Sequence, residues 1–168
     1  MLVTQNTINA VMELIGECFY ANRMLDRCVS VLGTDYVYNQ TADLVHKNIA
    51  HFYPALADKI SESCLERYNI SVIYSATPEG NKNYDSITEL IKDIEKISID
   101  FQAMMMGCIK IALENNDIHV YSDLLELLED VNKIVAQTIL LADKIELYGD
   151  NPSYDAHVKS FWILGENK

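Results

Sequence analysis

The chain is 168 residues long, 49% hydrophobic, and carries a formal net charge of −12, a size and apolar content that suit one domain with a proper core. So acidic a surface repels phosphate, which argues against direct nucleic-acid binding built on Lys and Arg, and draws in cations instead. Six Gly and three Pro are too few for a protein of strands and turns, and no run reaches the roughly 18 apolar residues of a membrane span.

The opening residues lack the basic start and apolar core of a signal peptide. From about Thr4 to Leu32 a first helix is expected, apolar nearly all round: Ile8, Val11, Ile15, Cys18, Leu25 and Val29 form one seam, and Ala10, Leu14, Ala21, Met24 and Cys28 the next. Two seams require more than one neighbour, and Glu17 interrupts the second. Gly33-Thr34 reads as its stop, and a second helix starts near Tyr38. Cys18, Cys28, Cys64 and Cys108 have no C-x-x-C spacing and fall within helical patterns, which favours small buried hydrophobes in a reducing, cytoplasmic setting.

The second helix carries Val45, Ile49, Phe52, Leu56 and Ile60 as its buried stripe. Beside that stripe His51, Asp58 and Glu62 are spaced by seven and four residues, which sets an imidazole and two carboxylates along one line of the surface. Pro54 has no N–H to give and crowds the carbonyl of Ala50, so a kink is expected next to His51. After Asn69 an extended Ile-Ser-Val-Ile-Tyr-Ser leads into loop residues. The 14 residues Ser71 to Tyr84 can reach roughly 46 Å, whereas a helix of about 28 residues is roughly 42 Å long. The connection can therefore run the length of a bundle and leave the second and third helices parallel.

The third helix, about Asp85 to Asn115, shows Ile87, Leu90, Ile94, Ile97, Phe101, Met104 and Cys108; an Asn115-Asn116-Asp117 turn leads to the fourth, about His119 to Tyr148, with Val120, Leu124, Leu127, Val131, Ile134, Leu141 and Ile145. Gly149 and Pro152 close it. A short amphipathic tail with Val158, Phe161, Trp162 and Leu164 is expected to dock on the bundle or on another subunit. The predicted architecture is all-α, one domain over 1–168, with a core bundle at about 4–148 and an appendage at 149–168. Met104-Met105-Met106 reads as core filler, and His119 and His157 as surface residues.

Two helical hairpins joined by a full-length crossover resemble the ferritin-like family over about Thr4 to Tyr148, and the His46-Lys-Asn-Ile-Ala-His-Phe-Tyr-Pro54 stretch is similar to the second helix of small ferritin relatives, including the starvation-induced DNA-protecting ones. The resemblance implies a four-helix bundle with a mid-bundle di-iron site, built from a Glu on each of two helices and a Glu-x-x-His on each of the others. Counting from the turns puts Glu17 level with His51 and Asp100 level with Asn132, each about 16 residues or roughly 24 Å from its own turn. Both pairs then reach the middle, and the expected ligands are Glu17, His51, Asp100 and Glu129. This chain has Asn48-x-x-His51 for one Glu-x-x-His and Glu129-x-x-Asn132 for the other. Asn48 and Asn132 are neutral, weaker donors, so a reduced site for iron or another divalent cation, or none, is expected, with at most weak ferroxidase or storage activity.

Alternatives stand beside each of these. Asp58-x-x-x-Glu62 resembles the acid pair that the DNA-protecting relatives hold at a subunit interface, and is the second-choice site; the other reading of His51, Asp58 and Glu62 is a solvated helix face. Glu17 also reads as a carboxylate whose stem packs while its end reaches water, and Asn132, flanked by Leu125, Leu128, Val135 and Ile139, as a buried polar residue fixing register. The alternative function is a non-catalytic bundle acting as an assembly or interaction module. Either way a homo-oligomer, dimer or larger, is expected through the face of the first two helices, where Tyr20, Tyr38 and Tyr53 add interface area and Ser71 to Ser75 could lay a strand across a two-fold axis.

Overall fold

The computed structural model describes residues 2–165. Helix α1 spans Gln5–Thr34; Thr4 caps its start, accepting from the Thr7 amide. Thr4 is itself held by Asp117, which accepts from the Thr4 amide at 3.2 Å and the Thr4 hydroxyl at 2.7 Å. The first residues are thereby tied to the turn between the last two long helices. Gly33 stays helical; the left-handed residue of the first turn is Val37, with φ 60°. A β-branched residue there is costly in isolation, and the Tyr38 amide, bonded back to the Leu32 carbonyl at 2.8 Å, holds it.

The second long helix is built in three pieces: α2 (Asn39–Val45), a π-turn (His46–Ala50) and α3 (Phe52–Cys64). In the π-turn the His51 amide reaches five residues back to the His46 carbonyl at 3.1 Å. Pro54 accounts for part of this interruption. It cannot supply the N–H that an uninterrupted helix would send to the Ala50 carbonyl, and the Asn22 side chain on α1 donates to that carbonyl instead, at 2.9 Å. The expected kink is therefore a π-turn just before the proline. Downstream, Tyr53 is fully buried and Phe52 only half-buried, the reverse of the predicted stripe.

From Ile70 to Asp85 the chain has neither helix nor strand, and it runs back along α1. Ser75 lies over Gly16, where a Cβ would come within 2.8 Å of its hydroxyl, and Gly80 sits 3.1 Å, by the same measure, from the Arg23 carbonyl. Arg27 then donates to the Lys82 carbonyl at 2.9 Å, and the Tyr84 hydroxyl lies 3.2 Å from the Cys28 sulfur. The full-length crossover is thus present, and α4 (Ile87–Glu114) runs parallel to the α2–α3 helix. Ser86 caps α4 by accepting from the Glu89 amide, while Glu89 reaches back to the Asp85 amide at 2.9 Å.

Helix α5 (Ile118–Tyr148) returns after Asn116, which takes φ 61° in the turn. The tail, α6 (Ser153–His157) with a following 3-10 turn, docks on its own bundle. The Tyr154 hydroxyl donates to the Leu141 carbonyl at 3.0 Å, Asp155 accepts from the Thr41 amide and hydroxyl at 2.7 Å each, and buried Gln137 bonds the backbone of Phe161 and Ile163. One continuous core joins all four long helices and the tail. All four cysteines are free and buried within it. Burial pushes Cys64 up to about 11 and Cys28 and Cys108 up to about 12, so these thiols stay protonated and act as small hydrophobes.

Candidate functional site

At mid-height the interior is packed rather than hollow. Cys18 comes from α1, Tyr53 from α3, Phe101 from α4 and Val131 from α5, all buried. Tyr53 and Phe101 meet edge to face with centroids 4.9 Å apart. Burial raises the Tyr53 pKa beyond the ordinary phenol range. The hydroxyl makes no well-formed hydrogen bond; Ser98 is its polar neighbour and gives its own proton to the Ile94 carbonyl at 3.1 Å. A lone neutral phenol among apolar groups is not a donor set for an iron pair.

The predicted ligands do not converge there. Glu17 and Asp100 do share a cleft of about 240 Å³ between α1 and α4, with Lys82 and Tyr84 of the crossover on its wall. Glu17 is half-buried; desolvation, and then the charge of Glu13, raise its pKa. Asp100 is exposed and ion-paired with Lys96 on the next turn. The third acid of the cleft, Asp93, accepts from the Tyr84 hydroxyl at 2.6 Å and pairs with Lys82 at 3.0 Å. Each aspartate is thus already matched by a cation.

His51 and Glu129 lie elsewhere, both exposed. The π-turn adds a residue to the count, which turns everything after it by about 100°; His51 swings outward and Tyr53 inward. Glu129 is 78% exposed and 3.7 Å from Lys133. Asn132 is exposed too, accepting from Gln102 at 2.8 Å, and is not the buried register residue expected. Helix α5 carries two apolar stripes, and Leu125 and Ile139, which flank Asn132, belong to the outer one. Asn48 is buried, but its amide donates to the Leu44 carbonyl at 3.0 Å within its own helix. Asp58 and Glu62, the second-choice pair, are exposed, and Glu62 borders a shallow depression with Lys59 and Arg67. Among the described residues no three or more His, Cys, Asp or Glu are grouped to hold a metal ion.

The feature that sequence reasoning missed is on the outer side of the π-turn. His46 and His51 have ring centroids 4.2 Å apart, and the His46 Nε2 atom lies 3.9 Å from the Asp26 carboxylate on α1. Pro54 was the available signal, because a helix deprived of one N–H is where a register change is to be sought.

No family model matches the sequence, and no curated protein matches it. The architecture, two antiparallel hairpins with a full-length crossover, is nonetheless that of a ferritin-like four-helix bundle. Solved structures agree. An open-pore ferritin from the hyperthermophilic archaeon Archaeoglobus fulgidus superposes with a TM-score of 0.87 over 98% of this chain and 99% of its own, at 12% identity. A closed form of the same ferritin, engineered by site-directed mutagenesis, gives 0.86 at 12% identity, again over 98% and 99%. A humanized archaeal ferritin gives 0.85 at 10% identity over 99% of both chains. These likenesses show the fold; the closer likeness to the DNA-protecting relatives is not shown by them. Among the described residues no helix is long and apolar enough to cross a membrane.

Proposed function

We propose that this chain is a ferritin-like bundle that serves as a non-catalytic assembly module, associating with copies of itself as a dimer or larger. The observation that carries the reading is the Tyr53–Phe101 contact, which fills the level where the fold could hold metals. The acids expected there are instead solvated partners of lysines. Iron binding at a reduced mid-bundle site keeps only Glu17 and Asp100 in one place, beside Lys96, which makes it the weaker reading.

Self-association is supported by the crossover. Ile73 and Tyr74 are exposed on it, and Tyr20 on α1 beneath. Tyr74 packs edge to face on Phe19, so the patch is continuous with the first helix. A segment outside helix and strand with apolar side chains can be self-complementary, because two copies can run antiparallel across a two-fold axis. Light scattering on the purified protein tests this, together with Ile73→Asp/Tyr74→Asp. The wild type should be at least a dimer and the variant smaller, with unchanged helix content; a wild-type monomer at high micromolar concentration would remove the reading. Metal analysis after aerobic Fe(II) loading separates the two functions. Iron retained at two per chain would favour storage over assembly alone.

A further inference from the structure

We infer that the π-turn builds a surface site for one divalent transition-metal ion of the copper, nickel or zinc type, chelated by the imidazoles of His46 and His51 with Asp26 orienting His46. In an uninterrupted α-helix, residues five apart are rotated by about 140° and face different directions. The i to i+5 bond from the His51 amide to the His46 carbonyl widens the turn and reduces that offset, and the rings come to 4.2 Å between centroids, inclined at 59°. With metal–nitrogen distances of about 2.1 Å, two imidazoles at this spacing reach one ion after small ring rotations.

Three further observations point the same way. The Asp26 carboxylate lies 3.9 Å from the His46 Nε2 atom, longer than a hydrogen bond but close enough for a small rotation to form one, and a carboxylate bonded there would orient the ring and leave its Nδ1 for the ion. The turn is held in place: Asn22, one helical turn before Asp26, donates to the Ala50 carbonyl, and Asn48 donates to the Leu44 carbonyl. His46 and Asp26 are each a little under half exposed and His51 is open to solvent, so an ion can enter and keep water on its remaining positions. Imidazole nitrogen selects borderline ions over Ca²⁺ and Mg²⁺, which require several oxygens. The net charge of −12 raises the local concentration of any cation. Since one chain supplies both rings, the inference does not depend on self-association.

The test is a Cu(II) titration of the whole protein followed by calorimetry and electron paramagnetic resonance. One Cu(II) per chain should bind, with hyperfine structure from two imidazole nitrogens. His46→Gln and His51→Gln should each weaken binding by about tenfold or more and leave a single-nitrogen signal, and Asp26→Asn should weaken it several-fold. All three positions are on the surface, and circular dichroism confirms that the variants fold. His157→Gln, at an exposed histidine outside the cluster, should change nothing. Wild-type binding no tighter than that of His51→Gln, or a wild-type spectrum without two nitrogens, would overturn the inference; so would equal loss in His157→Gln.

Discussion

The bond from Asn22 to the Ala50 carbonyl makes a quantitative prediction about why the second helix is interrupted where it is. Ala50 is fully buried, and Pro54, four residues on, has no N–H to offer its carbonyl. Asn22→Ala leaves a buried acceptor without that donor, a loss of about 1–3 kcal/mol. For a chain of this size each kcal/mol corresponds to about 2–4 °C in Tm. Pro54→Ala restores a donor at the position that an α-helix uses, so in that background the same Asn22→Ala change should cost less than about 0.5 kcal/mol. The coupling energy of the cycle, the difference between the two losses, should therefore be about 0.5 kcal/mol or more. Urea unfolding followed by far-UV circular dichroism measures all four proteins, at one fixed concentration so that any association cancels. Equal losses from Asn22→Ala in both backgrounds would refute the idea that Asn22 stands in for the missing amide.

Other substitutions probe the core and the ends. Burial works against the charge of Asp117, yet hydrogen bonds from Thr7 and Thr4 outweigh it and hold the carboxyl below its usual range. Its contribution is therefore present above the unfolded pKa near about 4 and lost as pH falls through the folded value. The stability gap between wild type and Asp117→Asn should be constant above about pH 5 and close below it, as read from urea midpoints across pH. Tyr53→Phe should be neutral or stabilising within about 1 kcal/mol, because the hydroxyl it removes has no partner; a loss of about 2 kcal/mol in thermal melts would reveal one. Asn48→Glu with Asn132→His, which restores the letters of a di-iron motif, should not speed Fe(II) oxidation in air, because Asn48 is buried and Asn132 exposed on different faces. It should also destabilise the fold by burying a carboxylate, and rapid oxidation at two irons per chain would contradict that placement of the two residues.

The division between what the chain states locally and what only packing decides follows the range of the interactions. Helix extents were legible because apolar periodicity is local: the Ile87, Leu90 and Ile94 seam and the Asn116 turn act within a few residues. The crossover was legible too, since chain length against helix length permits a parallel third helix. The direction each polar side chain faces was not. A single extra residue in the π-turn, matched to Pro54 and to Asn22 from another helix, exchanges Tyr53 for His51 at the core. Nothing within the second helix announces its partner. On α5 the seam through Leu124, Val131 and Ile134 was legible, but the polar Asn132 was misplaced, because Leu125 and Ile139 that flank it belong to an outer stripe and packing against the neighbouring helices leaves them exposed. Amphipathic periodicity thus fixes that a helix forms and roughly where it ends. Its rotation about its own axis depends on interlocking neighbours, and rotation is what decides whether four acids and imidazoles meet in a core or point to water.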